Sequence, residues 1–480
     1  MRARCCARLM AVALLLTTAS CARDEPRPVV RGDPAPTTST AIAPSAAPST
    51  PPLPDPAPIH WQPCDQLECG SVEVPVDYGD PGGGTIRLAV ARRPVPDPER
   101  RLGSLLVNPG GPGGSGIGFL ESGSLADLTD RFDLVSWDPR GVGGSEPLEC
   151  GAGHAGFLGL DPHPDTPDEQ AILEREAARL AARCGAEDPG LLANIDTTVN
   201  AMDLEMIRRA LGEEQLNYLG FSYGTLIGLE YARRFPSRLR ALVLDGVVDP
   251  ALTVEAMLTD QAEAMEQHLA EVSDLYDRVL ARAETDPMVL ADGRIVGPDM
   301  VVLAAIAATY RGDGRDELRR ALLAADGGDP RRLAVLADAY LTASDSFGAY
   351  LAVVCTDSPR PSGIDGWRAM ADRVAQRAPR LGAAAVNEVL ACGFWPIEPT
   401  RQPAPVAPAG LAPALVIGTT GDAATPYGEA VVVAANLPGA VLLTFDADGH
   451  TAIGRSRCVA GAVRRYLERS ELPEPGSVCG

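Results

Sequence analysis

The chain has 480 residues, 45% of them hydrophobic and 22% charged, a balance that can bury a large core in one domain or two and excludes a disordered protein. A formal net charge of −22 argues against nucleic acid and anionic membrane surfaces as binding partners, since both would repel it. The sequence holds no lysine, so a phosphate-loop lysine, a Schiff base and a Ser-Lys dyad are excluded too.

The first 21 residues, MRARCCARLMAVALLLTTASC, join an arginine-rich start to an apolar run from Leu9 to Leu16 and then to small residues, the layout of an export signal. That run is too short to span a bilayer. TASC resembles the lipobox of bacterial lipoproteins, with Thr18 where leucine is usual, and the resemblance implies lipidation of Cys21 and membrane attachment through that lipid alone. Residues 22–58 are rich in Pro, Ala, Ser and Thr and read as a disordered tether. Of the 11 cysteines, Cys5 and Cys6 leave with the signal and Cys21 is the expected lipid anchor. The other eight form an even set, which in an exported protein implies disulfides. Many connectivities are open; the cysteines fall into sequential pairs, and the expected bonds are Cys64 with Cys69, Cys150 with Cys184, Cys355 with Cys392 and Cys458 with Cys479. No CxxC and no histidine at ligand spacing accompanies them, so neither a metal nor another cofactor is expected.

From Glu73 onward, apolar runs alternate with helical patterns. SVEVPVDY and TIRLAVARR read as an opening pair of strands; GSLLV, FDLVSW, LNYLG, ALVLDG, ALVIGTT and VLLTFD follow as short strands mostly separated by helices. Runs apolar on both faces predict a mainly parallel, buried sheet of eight strands, in which ligand chemistry gathers at the carboxyl ends. Helical periodicity dominates from Thr253 to about Arg377, which predicts an insertion between two strands, with AYLAVVC, which ends at Cys355, reading as strand-like. The expected organisation is a core over 59–252, a helical cap over 253–400 and a second part of the core over 401–480.

Between the strand LNYLG and the helical TLIGLEYARRFP stands Gly220-Phe221-Ser222-Tyr223-Gly224, the setting of a nucleophile elbow that lifts a serine hydroxyl above the sheet. An ordinary glycine-bounded turn is the plain alternative. A serine needs a histidine base and an acid that orients it. Of five histidines, His60 ends the tether, His154 and His163 suit an exposed loop, and His268 suits a solvated helix face. His450 remains, just past the strand VLLTFD. The acid is expected at Asp422, in a turn beyond ALVIGTT, with Asp245 and Asp249 as rivals after ALVLDG. The order Ser222, Asp422, His450 is the one this architecture requires. LLVNPGGPGGSGIG supplies a glycine-rich turn after a strand, where the backbone amides of Gly111 and Tyr223 would form an oxyanion hole.

Taken together, NPGGPGGSG, DLVSWDPRGVGGS, NYLGFSYGT, LVLDGVVDP, GDAATP and DGHT resemble the secreted tripeptidyl aminopeptidases of high-GC Gram-positive bacteria, α/β hydrolases related to prolyl iminopeptidases. The resemblance runs from about Ile59 to Cys479. The cysteines in VVCTDSP and LACGFWP match its pattern, whereas Pro109 replaces the histidine that opens the relatives' HGGPG loop. It implies release of short peptides from a free N-terminus, with the cap over Ser222 and cap acids pairing with the substrate ammonium. A carboxylesterase acting on lipid or small esters could use the same residues, and an inactive binding lipoprotein could use the same scaffold.

Overall fold

The computed structural model describes residues 47–48 and 51–480, except 126, 127, 129, 152, 153, 344 and 345. The export signal, Cys21 and most of the tether therefore lie outside the described residues. Strands occupy β1 (Gln62–Cys64), β2 (Leu67–Pro75), β3 (Thr85–Arg93), β4 (Gly103–Asn108), β5 (Phe132–Trp137), β6 (Leu216–Phe221), β7 (Leu239–Asp245), β8 (Met288–Val289), β9 (Ile295–Val296), β10 (Leu415–Gly421), β11 (Val441–Asp448) and β12 (Val478–Cys479). Ten of them make one sheet in the order β1-β2-β3-β5-β4-β6-β7-β10-β11-β12, while β8 and β9 pair as a separate hairpin. Pairing is antiparallel from β1 through β2 and β3 to β5 and parallel from β5 to β12. Every residue of β4, β5 and β6 is buried, as helices on both faces of a parallel sheet demand.

The sheet thus has ten strands rather than the expected eight. The eight apolar runs are all present; the additions are β1 and β12, edge strands of three and two residues, too short to carry any periodic signal. Both sit beside a disulfide. Cys64–Cys69 staples β1 to β2, and Cys458–Cys479 ties β12 to the last helix, Arg457–Arg469. The bonds Cys150–Cys184 and Cys355–Cys392 complete the sequential pairing.

Between β7 and β10 the chain is helical from Val254–Leu269 through Gly382–Glu388, apart from the β8–β9 hairpin. The earlier helices of this region bury a cluster of their own, including Met265, Leu269, Tyr276, Val301, Leu318 and Leu333. The helices Phe347–Asp357 and Gly363–Arg377 do not. Leu351, Cys355, Trp367 and Cys392 join the apolar cluster that contains Leu106 and Leu244 of the sheet. AYLAVVC, expected to be strand-like, belongs to the helix Phe347–Asp357. A helix buried on most sides loses its polar face, and with it the periodicity that separates a helix from a buried strand. His268 is likewise buried rather than solvated, at 3% exposure. It lies three residues after Met265 and one before Leu269 on the face that turns into the cap's own cluster. Among the described residues, no helix is long and apolar enough to cross a membrane.

Candidate active site

Ser222 ends β6 and opens the helix Tyr223–Arg234 with φ 53° and ψ −127°, a conformation that side-chain-bearing residues rarely adopt. The turn is tight enough to require its glycines: a Cβ on Gly220 would lie 2.4 Å from the Gly224 carbonyl oxygen, and one on Gly224 would lie 2.6 Å from the Asn108 carbonyl oxygen. The Ser222 amide donates to the carbonyl of Asp245 at 3.0 Å, which locks the turn to the end of β7.

Asp422 follows β10 and His450 follows β11, neighbouring parallel strands. The structure brings the two side chains together. His450 Nδ1 lies 2.8 Å from Asp422 Oδ2 and 3.0 Å from Oδ1. The carboxylate is held in turn by the amides of Ala424 (2.9 Å), Thr425 (3.0 Å) and Thr451 (3.2 Å) and by the Thr425 hydroxyl (3.1 Å). A buried acid satisfied on all sides is pre-oriented for one ring nitrogen. The other nitrogen, Nε2, is buried and has no hydrogen-bond partner in the protein. Burial alone would lower the imidazole pKa, but the charge and hydrogen bond of Asp422, with the charge of Asp245, outweigh it and hold it above the ordinary histidine value. From the cap, the Tyr310 carbonyl accepts the His450 amide at 3.1 Å, and the two rings meet edge to face at 5.4 Å.

Asp245, the rival acid, does not meet the imidazole as a hydrogen-bond partner. Its carboxylate accepts the amides of Ala452 (3.0 Å) and Ile453 (2.7 Å), just beyond His450. Burial pushes its pKa up to about 6, against the pull of those amides. Asp249 accepts the Ala251 amide and receives no ring nitrogen. His163, expected in an exposed loop, is half-buried with both ring nitrogens unpartnered. The side chain of His154 lies outside what is described.

The glycine-rich loop after β4 passes directly over the elbow. A Cβ on Gly110 would lie 2.4 Å from the Phe221 carbonyl oxygen and 2.9 Å from the Tyr223 nitrogen, a close approach open only to glycine. Within the loop, the Gly110 amide donates to Asn108 Oδ1 (2.9 Å) and the Gly114 amide to the Gly110 carbonyl (3.0 Å), which leaves the Gly111 amide out of the turn's own bonding. In the elbow, Thr225 N bonds back to Ser222 O at 2.8 Å, and the Tyr223 amide is similarly left out. Sequence reasoning missed what supports this loop. Asp138, in the DPRG segment after β5, accepts the Ser115 hydroxyl (2.6 Å) and the amides of Ile117 (3.2 Å) and Gly144 (2.9 Å). Its place beside a strand end was visible, but its partners come from two different loops.

Two cavities meet at Ser222. An outer one of about 430 Å³ is lined by Ser222, Gly111, His450, Arg311 and Phe347. An inner one of about 150 Å³ is lined by Ser222, Gly111, Tyr223 and the underside of the cap. Among the described residues, no group of three or more His, Cys, Asp and Glu is arranged to hold a metal ion.

Comparison with known proteins places this arrangement. Residues 103–291 match the model of the α/β hydrolase fold, and residues 378–479 match the model of the TAP-like protein family. Serine protease Hip1 of Mycobacterium tuberculosis is 35% identical over 88% of this chain and 91% of its own length. Carboxylesterase B of the same species is 36% identical, covering 86% of each chain. Tripeptidyl aminopeptidase of Streptomyces lividans is 32% identical over 85% of this chain and 84% of its own. With relatives at this identity over most of both chains, and with a glycine-flanked serine, a paired histidine and aspartate and a glycine-rich loop at one edge of a parallel sheet, the chain belongs to the TAP-like family of α/β hydrolases.

Proposed function

We propose that this chain is an exported serine peptidase that releases short peptides, tripeptides in particular, from free N-termini through an acyl-enzyme. The observation that carries the reading is the bond from Asp422 to His450 Nδ1, with His450 Nε2 buried at the wall of the cavity that Ser222 also lines. In this reading Ser222 Oγ attacks the scissile carbonyl, and His450 Nε2 takes its proton and returns it to the departing amine. Asp422 fixes the tautomer and stabilises the imidazolium. The amides of Gly111 and Tyr223 hold the oxyanion, each donor being worth roughly 100- to 1,000-fold in turnover. Water then repeats the sequence on the ester. The names serine protease and tripeptidyl aminopeptidase among the relatives support the peptide substrate; the name carboxylesterase B supports an ester as the second reading. Export with lipidation at Cys21 is part of the proposal, and the four disulfides suit an oxidising compartment.

The test is mass-spectrometric profiling of products from a peptide library, beside Ser222→Ala. Three-residue products from unblocked N-termini, absent with the variant, are expected. Cleavage that ignores N-terminal acetylation would rule out the exopeptidase, and an active Ser222→Ala protein would end the serine mechanism.

A further inference from the structure

The consecutive amides from Gly449 to Ile453, in the loop after β11, are all hydrogen-bonded, and every acceptor but one belongs to the carboxyl edge of the sheet. Gly449 donates to the Gly421 carbonyl (3.3 Å), Thr451 to Asp422 Oδ2 (3.2 Å), and Ala452 and Ile453 to the Asp245 carboxylate (3.0 and 2.7 Å). The exception is His450 itself, whose amide donates to the Tyr310 carbonyl of the cap at 3.1 Å. The same cap turn meets the loop at further points. The Tyr310 ring lies edge to face with the imidazole at 5.4 Å. Gly449, at φ 93°, passes so close that a Cβ there would lie 2.7 Å from the Arg311 carbonyl carbon and from the Gly312 nitrogen. Arg315, just beyond the turn, reaches Asp448 Oδ1 at 3.5 Å.

Where this turn stands is decided within the cap. Tyr310 caps the helix Pro298–Thr309, whose residues from Met300 to Thr309 are all buried, and those from Met300 to Ala308 belong to the cap's own apolar cluster. The sheet therefore holds the imidazole at Nδ1, through Asp422, while the cap holds the backbone from which that side chain hangs. With both ends fixed, Nε2 has one direction. If the backbone end is released, the ring can pivot about the Asp422 bond and carry Nε2 off the cavity wall that it shares with Ser222. We infer that Tyr310 is a positioning residue for His450, and that the serine chemistry needs a seated cap even for a ligand too small to be held by it. The inference rests on the serine mechanism proposed above.

The experiment uses the full chain and diisopropyl fluorophosphate. In the labelling step Ser222 Oγ bonds to phosphorus, fluoride departs and His450 takes the hydroxyl proton, so the maximal rate reads the base and the half-saturating concentration reads binding. Tyr310 is 42% exposed, so shortening it opens no cavity in a core. Tyr310→Leu keeps the carbonyl and loses the ring; the maximal rate should fall about fivefold, the worth of one edge-to-face pair, with half-saturation changed less than about twofold. Tyr310→Phe should restore the rate. Gly449→Ala drives a methyl group into the cap turn and should cost about a hundredfold, the effect of misplacing a reacting group by about 1 Å. The low-field proton resonance of an imidazole Nδ1–H bonded to a carboxylate gives a second readout, which a change in overall stability leaves in place. It should be sharp in wild type and Tyr310→Phe, broadened in Tyr310→Leu and lost in Gly449→Ala. A wild-type rate and resonance in either Tyr310→Leu or Gly449→Ala would overturn the inference. So would weaker half-saturation with the maximal rate intact in Tyr310→Leu, which would make Tyr310 a binding residue. Wild-type protein that resists labelling would sink the serine mechanism and this inference with it, whereas labelling indifferent to both substitutions sinks this inference alone.

Discussion

The neighbouring parallel strands β7 and β10 each end at a buried aspartate, Asp245 as the last residue of β7 and Asp422 as the first after β10, yet the two carboxylates meet different groups. Asp422 faces a ring nitrogen and holds it with an acid that four donors have already oriented. Asp245 faces the backbone, gripping the amides of Ala452 and Ile453 with its side chain and the Ser222 amide with its carbonyl. One aspartate therefore touches the candidate base, and the other spaces the base loop from the nucleophile turn. Proximity to the site does not separate them; the identity of the donor does.

The largest expected effect comes from Asp422→Asn. An amide at this place favours the wrong imidazole tautomer, and the comparable change in other triads costs about 10,000-fold in kcat. We expect a loss of that order with labelling of Ser222 slowed in parallel. Should Asp245→Asn prove the more damaging to kcat, the two roles would have to be exchanged.

Asp245→Asn should act on stability first. It weakens hydrogen bonds to two buried amides, worth about 1 to 3 kcal/mol when a partner is left unsatisfied. A lower denaturant midpoint with kcat reduced less than tenfold is the expected split.

The pH profiles should divide in the same way. Asp245 has a raised pKa, so its contribution to stability is full below the ordinary aspartate value of about 4 and is lost as pH rises through about 6. Wild type should lose melting temperature across that window, and Asp245→Asn should lose less; identical slopes would contradict the assignment. Activity depends on the other pair. Because Asp422 holds the His450 pKa above its ordinary value, kcat/KM should rise with pH to a plateau through an apparent pKa above about 6.5. A midpoint at or below that value would count against the pairing.

The smallest effect belongs to Thr425→Val, which removes one of the four donors to Asp422 and leaves the backbone amide in place. One such bond is worth about 1 kcal/mol, so kcat/KM should fall by about fivefold, with melting temperature little changed. A hundredfold loss would mean that the hydroxyl touches substrate.

Sequence alone determined the parts whose signal is local. A strand, a glycine-bounded serine and a helix lie within the single stretch 216–234, and a parallel strand buried on both faces writes its burial into a continuous apolar run. Ser222, Asp422 and His450 could be named because each follows such a run. What only the tertiary structure decided depends on groups far apart in the chain. Asp245 and Asp422 have the same local setting, and only the approach of Ala452 and Ile453, 207 and 208 residues beyond Asp245, tells them apart. Edge strands of two and three residues pair only because the neighbouring strand is already placed. AYLAVVC was misread because its helix is buried on most sides, which erases the polar face that marks a helix, and the exposure of His268 was misjudged because its helix turns that position toward the cap's own cluster. The division of the site into an inner and an outer cavity is likewise absent from any one segment: it arises where the cap closes over the carboxyl edge of the sheet, and burial there is a property of the packed whole rather than of residue order.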